Sequence, residues 1–313
     1  MFLGLGLSAA VATEVDGADR PPTCTHELTY EPFAGLILVS VTIGGSPPLD
    51  FVLDSGATQS AINDPFLAQA LGLEATEAAF ARGVGSGAKR VVIVDDIAIR
   101  CDGVEILRAP LVVHDIGRQL AALAGREIDG FLGAGLFERY VVEINPAGHR
   151  LVLHDPSTFV YSGDGVVLPL EVEDRRPMVE AQVVIREGDR PVPVRLLVDS
   201  GSSRFMSLIT KSRRGLKPPR GLSMSGSVGV VGETQVAVGP LWRIQLGSIG
   251  IENVETAWAE SPEVPAVRNI PNLNGIIGNQ LLRRFRVFFD YDHRAIIFER
   301  LSSSPGVEAG EGS

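Results

Sequence analysis

Short apolar runs broken by glycine, proline and polar turns dominate the chain from residue 26 onward, and stretches of helical period are scarce. One run, Phe51-Val52-Leu53, passes directly into Asp54-Ser55-Gly56; another, Leu196-Leu197-Val198, passes into Asp199-Ser200-Gly201. The two lie 145 residues apart, and the same ungapped offset recurs downstream. Phe131-Leu132-Gly133 falls on Ile276-Ile277-Gly278, Leu136 on Leu281, Tyr140 to Asn145 on Phe285 to Asp290, and Leu151-Val152-Leu153 on Ile296-Ile297-Phe298. Self-similarity of this kind decides the domain count before any motif is interpreted. It predicts one β-rich unit used twice, over residues 26–156 and 170–301, with a linker at 157–169.

Within each unit the pattern predicts a β-hairpin, the strand ending in Asp-Ser-Gly, a glycine-rich hairpin and further strands. Two apolar residues and a glycine follow, then a short helix and a final hairpin. The first unit adds a helix after its Asp-Ser-Gly, with Asp64 as N-cap, Pro65 in the first turn, Leu67 and Leu71 on one face and Gly72 as the stop. In the second unit that place is taken by Lys211 to Arg220, whose prolines and glycine forbid a long helix and whose five basic residues read as a solvated loop. Arg283, Arg284 and Arg286 likewise read as the solvated face of the second short helix.

Composition narrows the class. Apolar residues make up 45% and charged residues 21% of 313, as in an ordinary globular chain, while 35 glycines and 20 prolines favour an all-β architecture over a helical bundle. A net charge of −10 argues against a nucleic-acid partner. No stretch approaches the ~20 apolar residues of a membrane-spanning helix, so no integral membrane span is expected. The histidines (His26, His114, His149, His154, His293) are scattered and the two cysteines, Cys24 and Cys101, are isolated, so neither a metal nor another cofactor is expected. Phe2 to Ala12 is apolar or small and ends in Ala10-Val11-Ala12, like a signal-peptidase site without a basic n-region. Residues 1–25 are therefore read as a leader, and export to a periplasm or the medium is expected; an ordinary chain start is the alternative. Export would permit a Cys24–Cys101 disulfide. The tail, residues 302–313, has the composition of a disordered segment.

A single Asp-Ser/Thr-Gly arises by chance at about one position in two thousand. Two of them, each behind an apolar strand and each 79 residues before its apolar-apolar-Gly, are specific. The constellation resembles the aspartic peptidases, whose pepsin-like members carry two such lobes in one chain and whose retroviral members build the same site from two identical subunits. The resemblance covers nearly the whole chain after residue 26. It implies an all-β fold of two pseudo-symmetric β-barrel lobes of the pepsin/retropepsin type with a cleft between them. It also implies an endopeptidase in which Asp54 and Asp199 hold a water, with no covalent adduct. The physics agrees, because two carboxylates in contact cannot both ionise and must share a proton, leaving one acid and one base.

The other residues take roles from the same resemblance. Gly56 and Gly201 let the two loops approach back to back, and the Ser55 and Ser200 hydroxyls would reach the opposite loop's backbone. After each glycine the units differ, Ala57 against Ser202. Ser202 alone could donate to its neighbouring carboxylate, which predicts the negative charge on Asp199 and the proton on Asp54. Gly83-Val84-Gly85-Ser86-Gly87 falls where the family places its flap, with Val228 to Gly232 as a looser second match. No tyrosine lies between Phe80 and Val94, where pepsin-like flaps carry one. Gly133 and Gly278 are read as packing behind the loops, and a third carboxylate is not implied, since Asn274 stands where the first unit has Asp129. A monomer acting on a peptide or protein is expected; the alternative is a pepsin-like peptide-binding protein without catalysis.

Overall fold

The computed structural model describes residues 25–81, 89–212, 215–229, 232–260, 267 and 270–301. The leader up to Cys24, the flap residues Gly83, Val84, Gly85, Ser86 and Gly87, and the tail from 302 lie outside the described residues. The first unit runs β1 (His26–Thr29), β2 (Glu31–Phe33), β3 (Leu36–Ile43), β4 (Leu49–Leu53), β5 (Ala61–Ile62), α1 (Pro65–Ala70), β6 (Glu77–Ala81), β7 (Lys89–Cys101), β8 (Val104–Val113), α2 (Gly117–Ala124), β9 (Gly130–Leu132), α3 (Ala134–Arg139), β10 (Val141–Asn145) and β11 (Arg150–His154). The second runs β12 (Val166–Pro169), β13 (Glu171–Glu173), β14 (Arg176–Val184), β15 (Val192–Asp199), β16 (Met206–Ile209), β17 (Ser223–Gly229), β18 (Gly232–Leu246), β19 (Ile249–Ala259), β20 (Leu273–Gly278), α4 (Asn279–Leu282), β21 (Phe285–Asp290) and β22 (Ala295–Arg300).

Each unit closes into a six-stranded barrel. In the first the ring is β3-β4-β9-β5-β8-β7, closed by β7 pairing back to β3; in the second it is β14-β15-β20-β16-β19-β18, closed by β18 on β14. The strands that carry Asp-Ser-Gly are buried where they approach the loops, β4 with only Asp50 partly exposed and β15 from Leu196 to Asp199, because each is flanked by a neighbour on either side inside the ring. β6 pairs antiparallel with β7, and β17 with β18.

A third sheet, β1-β11-β10-β21-β22-β12, joins the lobes. At its centre β10 and β21 run antiparallel with Val142 opposite Phe289, Glu143 opposite Phe288 and Ile144 opposite Val287. Glu143 thus faces its own repeat, which places a pseudo-twofold axis through that pair. One face of this sheet, with Val142, Ile144, Leu151, Phe289 and Phe298, packs into the main core; the other, with Val141, Phe288 and Ile297, is covered by Phe159 and Tyr161 of the linker. The last four residues of that linker form β12, paired to β22.

Local signals account for the helices unevenly. Asp64 caps α1 by accepting from the Phe66 N–H at 2.8 Å, Leu67 and Leu71 pack on the core, and Gly72 takes the left-handed conformation (φ 69°). The sequence pattern does not predict α2, which ends at left-handed Gly125. Among the described residues no helix is long and apolar enough to cross a membrane, and no group of three His, Cys, Asp or Glu is arranged to hold a metal.

Candidate active site

Asp54 follows directly on β4 and Asp199 ends β15, so each carboxyl is delivered by a rigid buried strand. The strands pair in parallel with β9 and β20, and Gly133, just after β9, and Gly278, the last residue of β20, press on the loops from behind. A side chain at Gly133 would sit 2.5 Å from the Gln59 carbonyl oxygen, and one at Gly278 would sit 2.3 Å from that of Arg204. The same constraint falls on a pair absent from the sequence-based candidates. A Cβ at Gly130 would meet the Ala61 carbonyl oxygen at 2.4 Å, and one at Gly275 that of Ser207 at 2.1 Å. The signal was in the repeat, since Gly130 and Gly275 are themselves in register.

The two Asp-Ser-Gly loops meet across the axis through four reciprocal bonds. The Ser55 N–H donates to Ser200 Oγ at 3.0 Å and the Ser200 N–H to Ser55 Oγ at 3.0 Å. Ser55 Oγ then donates to the Val198 carbonyl and Ser200 Oγ to that of Leu53, each at 2.8 Å. Every donor and acceptor in this buried knot is used, which fixes the loops relative to one another. Gly56 and Gly201 make the approach possible. A methyl at Gly56 would lie 2.7 Å from Asp199 Cγ and one at Gly201 2.3 Å from Asp54 Cγ, so each lobe's glycine abuts the other lobe's carboxyl.

The carboxyls are bound in near-symmetric fashion. Asp54 Oδ1 accepts from the Gly56 N–H and Asp199 Oδ1 from the Gly201 N–H, both at 2.9 Å. Both Oδ2 atoms are left buried with no other protein partner, and each aspartate lies within hydrogen-bonding reach of the other. Burial is the chief cause that lifts both above the ordinary aspartate range. For Asp54 the charge of Asp199 adds to it and carries the carboxyl well up; for Asp199 bonds from Asp54 and from the Gly201 N–H oppose it, leaving it at about 6. Such a pair holds one proton between two groups.

Two expectations need correction. The Ser202 hydroxyl makes no hydrogen bond; it lies back towards Gly278, and what reaches Asp199 is the Ser202 main chain. Arg286 is not on a solvated face but donates through Nε to Glu143 Oε1 at 2.6 Å, because burial of Glu143 on the axis demands a cation. Arg283 and Arg284 are exposed as expected, Arg284 lying over the Phe205 ring at 4.5 Å. Asp129 and Asn274 do the same structural work: Asp129 Oδ2 accepts from the Asp50 N–H at 2.7 Å and Asn274 Oδ1 from the Arg195 N–H at 2.9 Å. Cys101 is buried, and burial pushes its thiol up to about 11; Cys24, its expected partner, lies outside the described residues.

Residues 39–136, which include β4, the first Asp-Ser-Gly and Gly133, match the family model described as aspartyl protease. The match supports an aspartic peptidase family assignment. No curated protein matches the sequence. The match falls in the first lobe, and the second lobe repeats its barrel, its loop and its glycines at the constant offset. Among site residues that sequence reasoning overlooked is Arg176. It is fully buried at the start of β14 and donates through Nε to the Gly56 carbonyl at 2.8 Å, from the opposite lobe.

Proposed function

We propose that the protein is an endopeptidase that hydrolyses peptide bonds with Asp54 and Asp199 as its acid–base pair. The observation that carries this reading is the pair of Oδ2 atoms, buried without a hydrogen-bond partner, while each Oδ1 is held by the glycine N–H of its own loop. In the singly ionised pair, the charged carboxyl takes a proton from a bound water as it attacks the scissile carbonyl carbon. The neutral carboxyl gives its proton to the carbonyl oxygen. The tetrahedral diol that results collapses when its nitrogen is protonated, and the amine leaves with no bond ever formed to the enzyme. Substrate would add to the lobes as an extended strand, with main-chain bonds giving affinity and alternate side chains giving specificity. One chain supplies both aspartates, so the reading requires no second subunit.

The test is cleavage of a diverse peptide mixture between about pH 3 and 7, read by mass spectrometry, for wild type beside Asp54→Asn and Asp199→Asn. Loss of cleavage in both variants is expected. A folded wild type that binds peptides yet cuts none across the range would replace this reading with a peptide-binding one.

A further inference from the structure

The two copies of the unit differ at one position that touches the dyad. Each opens with a tight hairpin in which Phe33 faces Leu36 across β2 and β3, and Glu173 faces Arg176 across β13 and β14. Both two-residue turns are left-handed, Ala34-Gly35 in one and Asp174-Arg175 in the other. Leu36 and Arg176 therefore occupy the same place, and both are buried. Leucine is what a core asks for there, so the fold itself does not require a guanidinium.

A buried cation is costly unless charge or hydrogen bonds compensate it. Arg176 Nε holds the Gly56 carbonyl at 2.8 Å and Nη1 is bonded to the Asp174 carboxylate, while Nη2 is buried without a hydrogen-bond partner. Asp174 is 51% exposed, so solvent weakens its compensation. The remaining charged and titratable neighbours do not cancel the cation either. Arg175 is committed to Glu138 of α3 through two bonds and to the Thr58 carbonyl. Tyr291, beyond β21, has its hydroxyl buried, which chiefly keeps it neutral far above its usual range. What remains facing Arg176 is the pair Asp54 and Asp199. Gly56 links them, since its N–H binds Asp54, its Cα abuts Asp199 and its carbonyl accepts from Arg176.

We propose that Arg176 is a positioning residue of the dyad: a fixed cation, reaching from the second lobe into the first lobe's catalytic loop, that holds Gly56 in place and favours the singly ionised pair over the neutral one. The inference rests on the dyad reading of the preceding subsection. Its electrostatic direction is the same at both carboxyls, where Arg176 opposes the upward pull of burial.

The experiment follows the carboxyl carbons of Asp54 and Asp199 by NMR in aspartate-labelled protein, together with the pH profile of peptide cleavage. The variants are Arg176→Leu, which copies Leu36, and Arg176→Lys. In Arg176→Leu both dyad titrations are expected to move up by about one unit or more, and the acid limb of cleavage to move with them. Arg176→Lys keeps the charge but not the Nε bond, so its titrations stay near wild type while its rate falls. If Arg176→Leu does not fold, Arg176→Gln carries the same expectations, because it keeps an amide donor for Gly56 and loses the charge. Unmoved titrations in a folded, uncharged variant would overturn the proposal whether or not the protein cleaves peptides. Shifted titrations with no cleavage by any form would sustain it and remove the peptidase reading.

Discussion

Asp199→Asn should stabilise the protein at neutral pH, by an amount that can be worked from the site. Burial, the largest cause, holds this carboxyl at about 6, against 3.8 for an ordinary aspartate. The folded state therefore binds the proton more tightly than the unfolded chain does. The stability this contributes is fully present below about pH 4 and is lost as pH rises through 6. The gap of roughly two units, at about 1.4 kcal/mol each, makes the loss about 3 kcal/mol by pH 7.5. Asparagine has the same shape, does not titrate, and can donate to the Asp54 carboxylate. Urea unfolding of wild type and variant at pH 4, 5.5 and 7.5 measures the difference. The stability of Asp199→Asn relative to wild type should grow by about 3 kcal/mol across that range. A difference that stays flat with pH, or that favours wild type at pH 7.5, would refute the assignment of a buried, proton-sharing pair.

Four further outcomes follow from named contacts. Ser200→Ala removes the acceptor of the Ser55 N–H and the donor to the Leu53 carbonyl; two buried backbone groups left unpaired should cost roughly 3 kcal/mol in urea unfolding and depress cleavage. Gly201→Ala places a methyl 2.3 Å from Asp54 Cγ, and the overpacking should cost about 1–3 kcal/mol and move the carboxyl titrations seen by NMR. At Glu143, burial raises the carboxyl but the bonds from His154 and Arg286 outweigh it and hold it below the usual range; its stabilisation is thus present above the usual glutamate range and lost as pH falls below that range. Glu143→Gln should cost about 3 kcal/mol at pH 7, with the gap narrowing in acid. Asp129→Asn should be neutral or mildly stabilising at pH 7, because Asn274 already performs the same bond without charge and burial holds Asp129 above its usual range; a loss beyond about 1 kcal/mol would show that the charge itself is required.

What could be read from the chain alone was whatever both copies need. Asp54-Ser55-Gly56 and Gly133 recur as Asp199-Ser200-Gly201 and Gly278 because both loops meet the same steric and hydrogen-bonding demands, and the repetition raises a cheap motif above chance. The cap and stop of α1 were legible for a local reason, being set by residues within one turn of each other. Features made by one copy only were not. Arg176 and Arg286 carry no local pattern, and their meaning comes from Gly56 and Glu143, each more than a hundred residues away in sequence. The Ser202 hydroxyl failed as an inference because a side chain's composition does not say where its Cβ points. β12 was hidden in a turn-rich linker, since its partner β22 lies at the far end of the chain.

The differences between the copies share one physical logic. On a twofold axis, a residue of two identical subunits faces itself, so a charge placed there is always doubled. Glu143 lies on such an axis, and a second glutamate opposite it would set two carboxylates against each other on adjacent strands, which is destabilising. In this chain Phe288 stands opposite instead, and Arg286, two residues before it, supplies the counter-charge. The dyad presents the same problem with the opposite sign. A pair that shares one proton carries a single negative charge, and identical copies could offer it either no arginine or two. Fusing the copies in one chain allows Leu36 on one side and Arg176 on the other, so that one fixed cation meets one negative charge. Duplication followed by this loss of symmetry is what permits an asymmetric electrostatic environment around a nearly symmetric pair of aspartates.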